Sequence, residues 1–309
     1  MMKRIIKKSS RLKNFINDDI WTLDPEEFSK AKARFIKYLK VGMITIRTFS
    51  SEKIGFQAVA LSFFSTMAVV PFIAIAFAIT GGFGLDDKLA ELLYTYFNNS
   101  QQVIDIVLGF AQNIIASAES GWVGLVSALL FAWIVIWMMM SVERVFNNVW
   151  KVGKSRNIFK RLSVITIMLL VSPLVMMVFF AGTIMYSHMF EYLGLDMEAF
   201  GPIKTILTWI MFAAIVTFTF SAMYKFIPNH DVEYAASLRA AIPAAIAFTV
   251  MNYLYLETQV MVTRLNAVYG AFAAVPLFMI WINIGWFIIL IGAELSYAFQ
   301  YVDDYNTED

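Results

Sequence analysis

Six apolar blocks of about twenty residues or more constrain this chain above everything else. They lie at about residues 57–80, 122–141, 162–187, 203–226, 238–257 and 275–299. A helix rising about 1.5 Å per residue needs roughly 20 such residues to cross a hydrocarbon core about 30 Å thick. The blocks therefore predict an all-α fold: a polytopic membrane helical bundle of about six transmembrane helices. Of the 309 residues, 60% are apolar and 15% charged, against about 45–50% and about 25% in a soluble domain.

Three regions follow from the pattern. Residues 1–54 form a basic, amphipathic region, 55–300 the six-span domain, and 301–309 an acidic tail. Within 1–20, Ile5, Leu12 and Ile16 recur between six basic residues. That reads either as an amphipathic helix on an anionic membrane surface or as a solvated tail. It does not read as a signal peptide, since no compact apolar core follows the charges.

Asp24-Pro25-Glu26-Glu27 is a helix-start pattern. Phe28, Phe35, Leu39, Met43, Ile46 and Phe49 then repeat at helical spacing, predicting a long amphipathic helix over 25–54 packed under the bundle. Residues 85–118 predict two interfacial helices in the first external loop. Asp86-Asp87 fits the start of a helix better than catalysis. Pro71 and Pro173 fall inside spans, where proline breaks the hydrogen-bond ladder. Pro202, Pro243 and Pro276 are expected at helix starts.

Charge sets the orientation. Thirteen of the 24 basic residues precede the first span and six follow the second, while Lys225 and Arg239 flank the loop between the fourth and fifth. Only Lys88, Lys204 and Arg264 fall on the other side. This asymmetry places both termini of a multi-pass protein in the cytoplasm and calls for an even number of spans.

Much chemistry is excluded. There is no cysteine, and the two histidines, His188 and His230, are expected on opposite sides of the membrane. Neither a histidine–acid metal motif nor a phosphate-binding loop nor a nucleophile elbow is present. No cofactor, no metal and no nucleic-acid partner are expected, and no enzymatic activity. Membrane lipids are the expected partners. A homo-oligomer is compatible with the sequence, which names no protein partner.

Polar residues inside spans are costly and usually face a bundle or cavity. The candidates are Glu294, Arg239, Asn283, Asn252, Glu143 and Arg144. Glu294 and Arg239 fall at similar depth, so an ion pair is expected between them. Functionally, Glu294, Arg239 and Asn283 would line a cavity. Structurally, the same groups would act as snorkelling charges and interhelical hydrogen bonds. Two spans also look alike: one runs Gly121 to Glu143 through Trp133 and Trp137, the other Gly270 to Glu294 through Trp281 and Trp286. A parallel repeat or shared composition accounts for that likeness.

These residues resemble the YihY/BrkB family of bacterial inner-membrane proteins over about residues 35–300. The most specific stretch is Leu265-Asn266-Ala267-Val268-Tyr269-Gly270, followed by Pro276, Trp281 and Gly292-Ala293-Glu294-Leu295. Tyr224 with Pro228, and Asn147 within Ser141–Trp150, resemble two further family segments. The loop Val232–Ala236 departs from the pattern, in which a tryptophan is expected. The resemblance implies a six-span membrane protein and supplies no established activity. The family has carried a ribonuclease label, but phosphodiester cleavage needs metal ligands or an acid–base pair that this sequence does not present. The leading expectation is a transporter or flippase-like protein for a lipid or amphipathic solute; the alternative is a non-transporting scaffold that organises the membrane or envelope.

Overall fold

The computed structural model describes residues 28–96, 101–119, 121–153, 201–264 and 274–305, with Trp21 and scattered positions between 156 and 177. The regular elements among the described residues are helices: α1 (Lys30–Ser51), α2 (Ile54–Gly82), α3 (Asp86–Tyr96), α4 (Gln101–Glu119), α5 (Trp122–Val149), α6 (Gly201–Phe226), α7 (Tyr234–Arg264) and α8 (Ala274–Tyr301). Five of them, α2, α5, α6, α7 and α8, are long and apolar enough to cross a membrane. The expected third span, 162–187, is helical at its described positions up to 177, and the remainder lies outside the described residues. The expected amphipathic segment within 1–20, the cap at Asp24-Pro25, and His188 also lie outside them.

The helices run past the apolar blocks that announce them. The α5 helix continues through Glu143, Arg144 and Asn147 to Val149, and α7 begins at Tyr234. Hydropathy marks the membrane-crossing part of a helix, whereas its hydrogen-bond ladder continues until local chemistry ends it. Pro243 therefore lies well inside α7 rather than at its start. Lacking an N–H, it leaves the carbonyl of Arg239 without its helical donor. Pro202 and Pro276 do fall in first turns. The α2 helix ends as its glycine run suggests: Gly84 adopts a positive φ of 67°, and the Leu85 N–H donates back to the Thr80 carbonyl at 2.9 Å.

Packing is organised around two central helices. The α7 helix lies between α6 and α8, and α2 lies between α5 and α8. Small residues make the first arrangement feasible: Ala236, Ser237, Ala240, Ala241, Ala244 and Ala245 are all buried on α7, so neighbouring backbones approach closely. Gly292 of α8 serves the same end. A Cβ there would meet the Tyr224 hydroxyl, and would lie 2.8 Å from the Cβ of Ala244. The main core joins Phe146 and Val149 of α5, Phe220 and Tyr224 of α6, the α7 alanines, and Leu290 and Ala293 of α8.

At the other end of the bundle, Leu89 and Leu93 of α3 and Leu108 of α4 pack with Ala76 of α2. The Tyr94 hydroxyl donates to Asp105 at 2.6 Å, tying α3 to α4.

The α1 helix packs through a face that only partly overlaps the expected one, with Phe49 of the expected stripe against Phe287, ring centroids 5.0 Å apart. Ile36, Val41, Ile44, Thr45 and Thr48 are buried, with Val41 and Ile44 against Ala298 and Val302 of α8. Phe35 and Ile46, members of the expected stripe, are 65% and 73% exposed. Two features accompany the observed face. Lys37 pairs with Asp303 at 2.6 Å, and the threonine hydroxyls are satisfied by their own helix, Thr45 to Val41 O at 2.9 Å and Thr48 to Ile44 O at 2.8 Å. Burying them therefore leaves no unpaired donor.

Candidate functional site

Lys53, Lys151, Lys225 and Arg239 stand where α2 and α7 begin and α5 and α6 end, and they define the basic end of the bundle. There the α6–α7 loop is held from two sides. On the α5 side, Asn147 Oδ1 accepts the Asn229 N–H at 2.7 Å. Arg156 donates from Nη2 to the carbonyls of Phe226 (3.3 Å) and Pro228 (2.9 Å), and from Nε to Asn229 Oδ1 at 3.2 Å. Glu143 is buried and receives Arg161 Nε at 2.8 Å, with Arg156 Nη1 at 3.9 Å.

On the α8 side, Gln300 accepts from the Glu233 N–H at 2.9 Å and donates to the Asp231 carbonyl at 3.1 Å. His230 stacks on Trp150, with ring centroids 5.3 Å apart, and shares a 2.6 Å hydrogen bond with the Tyr301 hydroxyl. The histidine is a packed loop residue. Lys225 closes the loop on itself through Asp231, at 3.3 Å, and the Val232 carbonyl.

Glu294 presents the opposite situation. It is fully buried, and neither carboxylate oxygen has a hydrogen-bond partner. The expected pair with Arg239 is not formed, because Arg239 is exposed. The reason is angular. The buried small residues of α7 centre on Ser237, Ala240, Ala241 and Ala244; Arg239, at 100° per residue, lies roughly opposite them. The polar groups that do face Glu294 are Thr48, Glu52 and Lys151. Thr48 gives its one hydroxyl proton to Ile44 O, and Lys151 Nζ lies 5.5 Å over the Tyr297 ring. Removing a carboxylate from water costs on the order of several kcal/mol even after relaxation, so Glu294 is the least compensated of the sequence-derived candidates.

The expected cavity of Glu294, Arg239 and Asn283 is likewise not assembled. A groove of about 180 Å³ lies instead between α2, α7 and α8, further along the bundle. Ser65, Phe248, Trp281, Ile282, Gly285, Trp286 and Ile289 line it. Two hydrogen bonds join α2 to α8 here: Trp286 Nε1 to Ser65 Oγ at 2.8 Å, within the lining, and Asn283 Nδ2 to Ser62 Oγ at 3.3 Å, outside it. Trp286 and Ser65 are engaged with each other, Trp281 Nε1 is buried without a partner, and the wall the groove presents is apolar. A drug-sized ligand needs a pocket of about 300–1,000 Å³, whereas an apolar cavity of about 150 Å³ holds one benzene-sized group. This groove accordingly suits a slim apolar segment.

The other expected residues divide plainly. Asn252 is buried, Arg144 is exposed beside the buried Glu143, and Pro276 is exposed at the start of α8. Tyr224 is buried with its hydroxyl unpartnered, against Gly292. Tyr269 and Gly270 lie outside the described residues. Sequence reasoning missed Arg156, Arg161, Trp150, Gln300 and Tyr301 as members of the clasp, and Ser62 and Ser65 at the groove. The arginines had registered only as charge. No group of three or more metal-binding side chains occurs among the described residues.

Comparison with known proteins places the chain. The family model described as virulence factor BrkB matches residues 45–309. A UPF0761 membrane protein of Haemophilus influenzae (strain 86-028NP) is 28% identical over 264 residues, covering 82% of this chain and 93% of that protein. A UPF0761 membrane protein of Janthinobacterium sp. (strain Marseille) is 27% identical, covering 83% of this chain but only 58% of its own length. One from Paraburkholderia xenovorans (strain LB400) is 30% identical, with 81% and 57% covered. No solved structure matches. With a match running from the end of α1 through the clasp, the groove and Glu294, the chain belongs to the virulence factor BrkB family of membrane proteins.

Proposed function

We propose that this protein is a non-enzymatic transporter or flippase-like protein of the bacterial inner membrane, moving a lipid or amphipathic solute, with its basic end in the cytoplasm. The observation that carries this reading is the apolar groove between α2, α7 and α8, about 180 Å³ in volume and open on one side. It accepts a slim apolar chain while the basic end, a few helical turns away, offers the exposed Lys151 and Arg239 to an anionic headgroup. The strong bias of basic residues to one side supports the orientation.

The test is photocrosslinking with a lipid that carries a photoreactive group in its acyl chain, on protein in nanodiscs. Adducts should map to Trp281, Gly285 or Ile289, and a bulky residue at Gly285 should abolish them. Adducts spread evenly over the lipid-facing surface, unchanged by the Gly285 variant, would sink the reading.

A non-transporting scaffold is the second reading. It is favoured by the clasp, which binds α5, α8 and the α6–α7 loop into one rigid face. Stable co-purification of a partner through that face would support it.

A further inference from the structure

Glu143 and Glu294 occupy comparable places on α5 and α8, near the basic end, and both are buried. Glu143 is neutralised by Arg161 and approached by Arg156. Glu294 has no such partner, and both its oxygens are free of hydrogen bonds. The charged groups facing it are Glu52, from the end of α1, and Lys151, from the turn after α5. Glu52 is half-buried and Lys151 exposed, so neither shares the closed surroundings of the Glu294 carboxylate. Oxygen atoms are available there from the Glu294 carboxylate and the Thr48 hydroxyl.

We propose that Glu294 is a binding site for a small monovalent cation, a proton or a sodium ion, at the junction of α1, α5 and α8. The cation compensates a buried carboxylate that has no ion-pair partner among the described residues. This site stands apart from the lipid reading: it rests on α1 and the turn after α5, and it is read out without any transport.

The experiment is thermal unfolding of the full chain in nanodiscs, wild type beside Glu294→Gln. Sodium chloride replaces choline chloride at fixed ionic strength, and the pH is then varied with sodium absent. If sodium is the ligand, the wild-type Tm rises by roughly 2 °C for each tenfold increase beyond half-saturation, and Glu294→Gln does not respond. If the proton is the ligand, sodium has no effect. The stability of the wild type then varies with pH in a transition that the variant lacks. Identical responses of wild type and Glu294→Gln to both titrations overturn the proposal. Should Glu294→Gln fail to fold, Thr48→Val and Glu52→Gln decide it. At least one must move the titration midpoint severalfold, and two unmoved midpoints overturn it.

Discussion

A buried glutamate's worth depends on what surrounds it, and Glu143 gives the sharpest residue-scale expectation. Glu143→Gln leaves Arg161 and Arg156 without their carboxylate in a part-buried site, and breaking such a pair costs about 3–5 kcal/mol. Arg144→Gln, one position along the same helix but exposed, should stay within about 0.5 kcal/mol. Thermal unfolding of the two variants checks the contrast, and equal effects would contradict the assignment of Arg161 as partner.

A second expectation concerns Gly292 and Tyr224. Gly292→Ala drives a methyl group into the Tyr224 hydroxyl and Ala244, an overpacking worth about 1–3 kcal/mol. Tyr224→Phe removes a buried hydroxyl without a partner and should be neutral or stabilising. The double variant should recover part of the Gly292→Ala loss. If unfolding measurements show the two effects simply adding, the close approach is wrong.

Individual helices separate what sequence can and cannot reveal. The apolar blocks located α2, α5, α6, α7 and α8, because burying a helix in hydrocarbon demands a long apolar run whatever its neighbours. Azimuth was far less legible. Inside lipid, apolar residues cover every face of a span, so periodicity does not mark the side that meets the bundle. Arg239 was thus placed at the depth of Glu294, while the alanines of α7 turned it away. The same uncertainty affected α1, where two apolar faces compete and the Lys37–Asp303 pair with Ala298 and Val302 accompanies the observed one.

The α1 outcome is testable. Ile44→Ala should cost about 2–5 kcal/mol, and Ile46→Ala, 73% exposed, should stay within about 0.5 kcal/mol. Had the Phe35–Ile46 stripe faced the bundle, the order would reverse.

For the whole molecule, the proposal joins a fixed basic end to an apolar groove further along the bundle. Its orientation is directly accessible, since the chain has no cysteine and any introduced thiol labels alone. Asp304→Cys, at the basic end, should resist a membrane-impermeant maleimide in intact cells. Phe83→Cys, beyond the far end of α2, should react. The opposite pattern would invert the topology and place the groove's basic neighbours outside. The clasp was hidden from sequence reading for a related reason: Asn147 with Arg156, Asn229, and Gln300 come from three distant stretches of the chain, and only the fold's return of α5, α6 and α8 to one end brings them together.

The central claim is tested most directly by transbilayer movement of a fluorescent phospholipid in proteoliposomes, read as the fraction quenched by an impermeant reductant. The account predicts that wild-type protein speeds the movement over protein-free vesicles, and that Gly285→Trp, which fills the groove, returns it to the protein-free rate while remaining folded. Movement no faster than in empty vesicles, across neutral and anionic headgroups and with monodisperse protein, would contradict it.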